Sequence, residues 1–296
     1  MGAFFGAPQS LSITPEVMDA CTLRVILCGM EHHATAFGDQ LRTWRAMRGQ
    51  SQMALALAAG VSTRHVSYLE TGKASPSREM VVSLTQAMEV PLRGRNQLLM
   101  AAGFAPLYAE TPLEAPALGP VREALQFVLG AMEPHPTFVV NRRYDVVDAN
   151  ATGRWILATF VAEPARFAHP LNMAQLITRP EGMQPFIQNR EEVQRKVLGR
   201  LRRDLAGAQT LDARDQALLS EVEPVLQSLG VPRTPVETLP MIAGLNLKRG
   251  DLVLNLFTTI ATVGTAQDVT LQETRIETLF PADAATRALL AQRGGR

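Results

Sequence analysis

The stretch VSTRHVSYLETGK, residues 61–73, carries small polar side chains, an arginine and a tyrosine between spaced apolar positions. In a helix whose Val66 and Leu69 face a core, the hydroxyl residues and the arginine lie on the outward face. Arginine can form two hydrogen bonds with guanine, and hydroxyl groups can bond base edges or phosphates. These residue types at this spacing predict a helix that reads the major groove of DNA.

Two short helices must position this stretch. The first begins after Ser51, a residue type that caps helix N-termini, and ends at Gly60, which permits a reversal of the backbone. A pair of this kind is a helix-turn-helix. A small helical bundle with a solvated polar face shows the same pattern, so the pattern alone leaves both interpretations open.

Five short helices are predicted over residues 37–103, and Ser75 with Pro76 opens the fourth. Apolar residues mark the first two helices, and Val66 and Leu69 face inward in the third. Leu41, Trp44 and Met47 recur at helical spacing in the first helix, and the second includes Met53, Leu55 and Ala58.

Further residues offer contacts with the DNA backbone. Gln52 begins the second helix, where a side-chain amide and free backbone N–H groups can bind a phosphate. A lysine and two arginines flank the pair of helices as further phosphate contacts. The predicted DNA-binding residues are Gln52, Ser62, Thr63, Arg64, Ser67, Tyr68, Lys73, Arg42 and Arg78.

The charge and cysteine content of the sequence indicate which binding partners and which cellular compartment to expect. With 29 Lys and Arg residues against 28 Asp and Glu residues, the 296-residue chain as a whole has no nucleic-acid or membrane signature. Residues 37–103 differ, because eight basic against four acidic residues give that segment a charge of +4. Two cysteines and the lack of an apolar run of ~18 residues favour a cytoplasmic protein without a membrane span.

The sequence lacks motifs for catalysis and metal binding. No Gly-x-Ser-x-Gly motif occurs, and Gly72-Lys73 lacks the upstream glycine of a phosphate-binding loop. The five histidines do not have metal-ligand spacing. We therefore expect no enzymatic activity, no catalytic residue, no metal site and no cofactor.

The second half of the chain mixes strands and helices. A helix over Val121–Met132 precedes PTFVVNRRYDVVDAN, which is typical of a hairpin, and Asn150 is placed to cap the helix that follows. Three strand-like runs lie near Val236–Leu245, Leu252–Thr262 and Val269–Phe280. A hairpin, central helices and three more strands predict a small antiparallel sheet with helices on one face.

The predicted fold class is therefore α+β, with a five-helix all-α domain before an α/β domain. Residues 105–120 hold four prolines and little periodicity, which indicates a linker. The predicted segments are an N-terminal extension at 1–35, the helix-turn-helix domain at 36–104, the linker at 105–120, the second domain at 121–285 and a tail at 286–296.

A half-open sheet covered by helices can enclose a cavity for a small ligand. Plain core is the competing interpretation for each lining residue, because apolar side chains mostly fill space. An arginine at the mouth, Arg154 or Arg166, could meet a carboxylate. The predicted ligand-binding residues are Phe138, Val140, Val147, Ile156, Leu157, Leu254, Leu256 and Phe257.

The first domain resembles the XRE, or Cro/C1-type, helix-turn-helix of bacterial and phage repressors. Gln50 departs from the usual leucine. In that family the glutamine matching Gln52 holds a phosphate, and the residues matching Thr63, Arg64, Ser67 and Tyr68 face the groove. The resemblance is carried by Arg48-Gly49, Ser51-Gln52, Ala59-Gly60-Val61-Ser62, Ser67, Leu69-Glu70, Gly72-Lys73 and Pro76-Ser77.

The segments RNQLLMAAGFAPLYAETPL and PTFVVNRRYDVVDAN are similar to the MmyB-like regulators, in which an XRE domain precedes a PAS-like ligand-binding domain. GMQPFIQNREEV and VGTAQDVTLQETRIETLFPAD are similar to later parts of that second domain. The resemblance implies a bacterial transcription factor whose second domain has a hydrophobic pocket, compatible with a fatty acid or a similar small amphiphile.

These patterns together predict a homodimeric, sequence-specific regulator that binds a double-stranded DNA operator and is controlled by a small hydrophobic ligand. A dimer is expected because one module presents few side chains to a half-site. The alternative is a DNA-tethered protein-interaction adaptor without a ligand, which would expose a large apolar patch. An enzyme fused to a DNA-binding module would need convergent titratable groups in the cavity.

Overall fold

The structure is a computed structural model that describes residues 36–206, 211–232, 243–264 and 266–294. The described chain divides into two compact units. The first includes residues 36–88 and 98–104, and the second includes residues 89–97 and the described residues from 105 onward.

Five helices in a row confirm the prediction for residues 37–103. Serines cap three of them: Ser51, Ser62 and Ser77 each accept a hydrogen bond from a backbone N–H in the first turn. Ser77, and not the predicted Ser75, therefore opens the fourth helix. The helices are α1 at residues 36–47, α2 at Gln52–Ala59, α3 at Thr63–Glu70, α4 at Arg78–Ala87 and α5 at Leu92–Ala101.

The core of the first unit includes some of the apolar residues of the first three helices. Leu41, Trp44, Leu55, Val66 and Leu69 are buried as expected. In contrast, Met47, Met53 and Ala58 are exposed and do not belong to this core. Every residue of α2 after its first is alanine, leucine or methionine, so its sequence does not single out one inward stripe.

Helix α1 approaches the end of α3 at Gly38. A Cβ atom at this position would lie 2.6 Å from the carbonyl oxygen of Leu69 and 2.8 Å from that of Glu70. These are backbone atoms, which a rotamer change cannot move. The position of α3 against α1 therefore requires glycine here.

The second unit contains a five-stranded antiparallel sheet in the order β2-β1-β5-β4-β3. The strands are β1 at Thr137–Val140, β2 at Val146–Ala149, β3 at Ala243–Arg249, β4 at Leu252–Thr262 and β5 at Arg275–Pro281. This sheet after an all-helical unit confirms the α+β class and the predicted hairpin.

Seven helices accompany the sheet in the described residues. Asn150 caps the helix after the hairpin as predicted, with its Oδ1 accepting from the Gly153 N–H at 2.8 Å. The helices are α6 at Gly119–Ala131, α7 at Ala151–Phe160, α8 at Met173–Thr178, α9 at Arg190–Ala206, α10 at Ala213–Ser228, α11 at Val269–Glu273 and α12 at Ala284–Gly294.

Helices cover both faces of the sheet, so the predicted one-sided arrangement is wrong. Phe138 and Val140 of β1 belong to the main core with residues from α7 to α10. Val139 points the other way and packs with Leu125 and Leu129 of α6. All four residues of β1 are buried, and alternate side chains of a strand leave opposite faces, so both faces need cover.

The last predicted strand is also corrected. Val269–Glu273 forms the short helix α11, because Asp268 accepts hydrogen bonds from the N–H groups of Thr270 and Leu271 and starts a helical turn. The strand begins only at Arg275. Of the run near Val236–Leu245, residues 236–242 lie outside the described residues.

Two predicted segment boundaries fall within regular structure. The segment predicted as a linker includes a 3-10 turn at Pro116–Leu118 and the start of α6. Helix α12 crosses the boundary at residue 285, and its Leu290 is fully buried in the main core. Among the described residues, no helix has the length and apolarity to cross a membrane.

Gly38→Ala should lower the free energy of unfolding by about 1–3 kcal/mol, because the new methyl group overlaps backbone oxygens that cannot turn away. Gly199→Ala in α9 is the matched control, since nothing lies within 4 Å of its Cβ position. The control should gain about 0.5–1 kcal/mol from lower backbone entropy in the unfolded chain. Urea unfolding followed by circular dichroism measures both, and equal stability of Gly38→Ala and wild type would contradict the close approach.

Candidate functional site

Helix α3 presents the outward face that its sequence predicts. Val66 and Leu69 are fully buried, whereas Thr63 and Arg64 are exposed. Ser62 caps the helix and accepts from the His65 N–H at 3.2 Å. The residues predicted to read the groove therefore lie on the side of this short helix that faces away from the core.

Arg64 and Tyr68 form a pair on this face. The Arg64 Nε donates to the Tyr68 hydroxyl at 2.8 Å, and the guanidinium carbon lies 5.1 Å from the ring centroid. A guanidinium held on an aromatic ring loses less rotamer freedom on binding a base. Its two terminal nitrogens make no hydrogen bond to other described residues, which leaves two parallel donors for guanine.

Glu70, the last residue of α3, is a buried carboxylate that sequence reasoning missed. Arg45 donates to it twice, from Nε to Oε1 at 2.6 Å and from Nη2 to Oε2 at 2.9 Å. The Glu70 side chain is only 1% exposed, so this is a buried bidentate ion pair between α1 and α3. In the sequence, this ion pair could have been suspected from one feature: Glu70 is the single acidic residue of α3 and lies at its last position.

Gln52 also bonds to this carboxylate. Its Nε2 donates to the Glu70 Oε2 at 2.8 Å. One amide hydrogen is therefore used within the protein, and the second remains at the N-terminal end of α2. Among the described residues, the Ser51 hydroxyl accepts from the Ala54 N–H alone, which leaves other first-turn N–H groups of α2 for a phosphate.

The remaining predicted phosphate contacts are in different surroundings. Arg42 is held against α3, because its Nη2 donates to the Glu70 carbonyl at 2.9 Å. Lys73 and Arg78 are exposed. The structure thus brings Gln52 and Arg42 together around Glu70, while Lys73 and Arg78 extend from segments after α3.

Hydrogen bonds hold Glu70 ionised. Burial alone would raise the pKa of this carboxyl group, but the bonds from Arg45 and Gln52 outweigh burial and keep the pKa below its ordinary value. The carboxylate is therefore charged at neutral pH, and it keeps α1, the start of α2 and the end of α3 in one arrangement.

The second unit contains a cavity of about 70 Å³ between the sheet and helices α7, α8 and α9. Three predicted residues line it, namely Phe138, Ile156 and Leu157. Val140, Leu254 and Leu256 are buried in the same core without lining this cavity. About 70 Å³ admits a few water-sized groups, whereas drug-sized ligands occupy roughly 300–1,000 Å³.

The predicted places of Val147 and Phe257 in the cavity are wrong. A register shift between Val139 and Val140 turns Val146 toward the core and leaves Val147 37% exposed. Phe257 lies on the opposite face of β4 and stacks on Phe280 at 5.6 Å. A shift of one residue in a strand moves a side chain to the other face, and the hydrophobic pattern did not show this shift.

Neither arginine proposed for the cavity mouth lines the cavity. Arg154 pairs with Asp148 at 2.9 Å, and Arg166 lies 3.7 Å from Glu163. Sequence reasoning instead missed three polar lining residues, Tyr144, Thr258 and Glu277.

The hairpin turn that carries Tyr144 is anchored by arginines. Asp215 of α10 is fully buried and accepts from Arg142 at 2.6 Å and from Arg143 at 2.5 Å. Burial would raise the pKa of Asp215, but the two arginines hold it below its ordinary value. Tyr144 itself has φ +65°, a backbone conformation that bulky residues rarely adopt. The bonds from Arg142 and Arg143 to Asp215 thus hold the turn in place, and the Tyr144 side chain is buried.

Comparison with known families identifies both units. A helix-turn-helix domain model matches residues 36–98. The model of the MmyB-like transcription regulator ligand binding domain matches residues 121–292, which is more than half of the chain. The chain belongs to this MmyB-like family. No match was found among curated proteins.

This MmyB-like protein is thus a transcriptional regulator with a DNA-binding helix-turn-helix domain and a small-molecule ligand-binding domain. Both families are regulatory and neither is enzymatic. Within the described ranges, no three His, Cys, Asp or Glu residues group together as metal ligands. Which residues contact DNA or ligand stays a prediction.

Glu70→Gln should cost about 2 kcal/mol of stability at pH 7, because charge-assisted hydrogen bonds to Arg45 are lost. The lowered pKa of Glu70 means that the unfolded chain binds this proton more readily than the folded chain does. The contribution is therefore complete above the unfolded pKa of about 4.3 and disappears as pH falls through the folded pKa.

Unfolding free energies of wild type and Glu70→Gln measured from pH 7 down to pH 3 should converge. Glu79→Gln at the exposed start of α4 is the control and should show a smaller loss at pH 7. A gap for Glu70→Gln that stays constant across this range would show that the carboxylate charge does not stabilise the unit.

Proposed function

We propose that this protein binds a specific DNA operator as a homodimer and that a small hydrophobic ligand in its second domain changes its affinity for DNA. The observation that carries the DNA-binding proposal is the anchored helix α3. Its Val66 and Leu69 are buried, and its Arg64 and Tyr68 form a preoriented pair on the accessible face.

The proposed division of roles follows from the contacts. Arg64 supplies base readout, with Thr63 and Ser67 as further groove contacts. Gln52, Lys73 and Arg78 supply phosphate contacts that position the helix without reading sequence. Three further residues hold these groups in position. Ser62 caps α3, Arg42 of α1 bonds to the end of α3, and Tyr68 bonds to the Arg64 guanidinium.

Dimerisation is proposed because α3 offers few readout side chains. One turn of outward residues can distinguish only a few base pairs, which is too little for an operator in a genome. Two copies on half-sites about one helical turn apart would double the contacted sequence. The operator should therefore be a near-palindrome.

For the second domain we propose a PAS-like sensor that binds a small hydrophobic molecule, of which a fatty acid is one example. The antiparallel sheet with helices and the largely apolar cavity support this proposal. Met173 and Met183 line the cavity, and methionine side chains adapt easily, so a longer apolar chain could enter by displacing them. The ligand can alter DNA affinity only through different affinities for two conformations.

A binding selection from random DNA should return one preferred sequence for the full-length protein at physiological salt. Arg64→Ala should then relax preference at one base position at a cost of about 1–3 kcal/mol, because the paired donors for guanine are lost. Gln52→Ala should weaken binding to all sequences by a similar factor, because it removes a phosphate contact.

Arg190→Ala, an exposed arginine at the start of α9, is the matched control and should bind as wild type does. If no sequence outcompetes random DNA, sequence-specific binding is refuted. Equal loss on every sequence for both Arg64→Ala and Gln52→Ala would instead refute base readout by Arg64.

A further inference from the structure

Tyr144 and Glu277 form a polar end of the cavity lining in the second domain, since burial and the nearby Glu277 both raise the pKa of Tyr144. Tyr144 is only 1% exposed, and its hydroxyl has no hydrogen-bond partner among the described residues. The rest of the lining is mostly apolar, including Ile156, Leu157 and Leu279. A buried hydroxyl without a partner costs about 1–3 kcal/mol, so this end of the cavity favours a ligand that bonds to it.

Glu277 adds a carboxyl group to the same lining. Its side chain is 13% exposed, and its nearest ionic partner, the Arg200 Nη1, lies 3.9 Å away, beyond hydrogen-bond distance. Burial raises the pKa of Glu277, and Arg200 and Arg275 oppose that rise. In the described residues, therefore, the carboxyl group also lacks the close donors that Glu70 and Asp215 have.

The nearby arginines are already engaged by carboxylates. Arg275 donates to Asp204 at 2.7 Å while its guanidinium carbon lies 5.7 Å from the centre of the Tyr144 ring. Arg200 faces Glu277 itself. Each of these two arginines therefore already faces an acidic side chain. Neither is left to form an ion pair with the carboxylate of a bound ligand.

A ligand carboxylate would meet Glu277 directly. Two carboxyl groups that share a buried site disfavour each other's ionisation, so one must take up a proton or leave. An alcohol or an amide both donates and accepts hydrogen bonds. It can therefore bond to Tyr144 and to Glu277, whether Glu277 is ionised or protonated.

We propose that the polar end formed by Tyr144 and Glu277 selects an uncharged headgroup, an alcohol or a primary amide, on a short apolar body, in preference to a free carboxylate. This inference rests on the proposed ligand binding by the second domain and specifies its ligand class. A fatty acid would then be a poorer ligand than the corresponding alcohol or amide.

Titration calorimetry of the full-length protein with hexan-1-ol, hexanamide and hexanoate at pH 7 tests the selection, because the three probes share chain length and differ in headgroup. The alcohol and the amide should bind at least about tenfold more tightly than hexanoate, the factor that one retained hydrogen bond supplies. Hexanoate binding as tightly as the alcohol, or more tightly, overturns the inference while ligand binding itself stands.

Two variants separate recognition from folding. Tyr144→Phe should weaken hexan-1-ol binding about tenfold without lowering the thermal midpoint, because the hydroxyl has no protein partner to lose. Glu277→Gln should reduce the disadvantage of hexanoate, because the competing carboxyl group is gone. Glu191→Gln, an exposed glutamate on α9, is the matched control and should leave all three affinities unchanged.

Unchanged affinity for hexan-1-ol in Tyr144→Phe, or an unchanged preference in Glu277→Gln, would overturn the roles given to these groups. Failure of all three probes to bind the wild-type protein would overturn both this inference and ligand binding at this cavity. DNA selection by the same preparation would remain a separate result.

Discussion

The buried carboxylate of Glu70 is the interaction on which the DNA-binding surface depends. It lies at the end of α3, accepts two hydrogen bonds from Arg45 of α1 and accepts a third from Gln52 at the start of α2. Gln52, which we propose contacts a phosphate, and α3, which we propose reads bases, are thereby bonded to the same carboxylate. A buried charge is stable only when it has such partners. Movement of these helices relative to one another would therefore leave Glu70 as a buried ion without a partner.

The second unit uses the same physical device. Asp215 is buried, and the arginines of the hairpin turn satisfy it. In both units these arginines form ion pairs with buried carboxylates. The number of basic residues in the sequence is therefore larger than the number of cations available to bind DNA or a ligand. Glu277 differs from these two buried acids, since it is 13% exposed and lines the cavity with its ionic partner 3.9 Å away.

Local patterns predicted most elements of the fold. The five N-terminal helices, the hairpin and the Asn150 cap followed from spacing and from side chains that bond their own backbone. In two places the sequence did not show which side chains face the core. In α2 the residues after Gln52 are all apolar, and in the hairpin the pairing of the strands decides which side chain faces inward. The uniformly apolar α2 gave no inward stripe, and a register shift in the hairpin exchanged Val146 for Val147.

By itself the sequence determined the division into a helix-turn-helix domain and an α+β ligand-binding domain, and it determined which side of α3 faces outward. Helical periodicity and capping act over a few residues, so they can be read along the chain. Only the tertiary structure decided that Glu70 joins Arg45 and Gln52, and that Tyr144 and Glu277 share a cavity. These groups are distant in sequence, and burial makes their pairing, or the lack of it, energetically decisive.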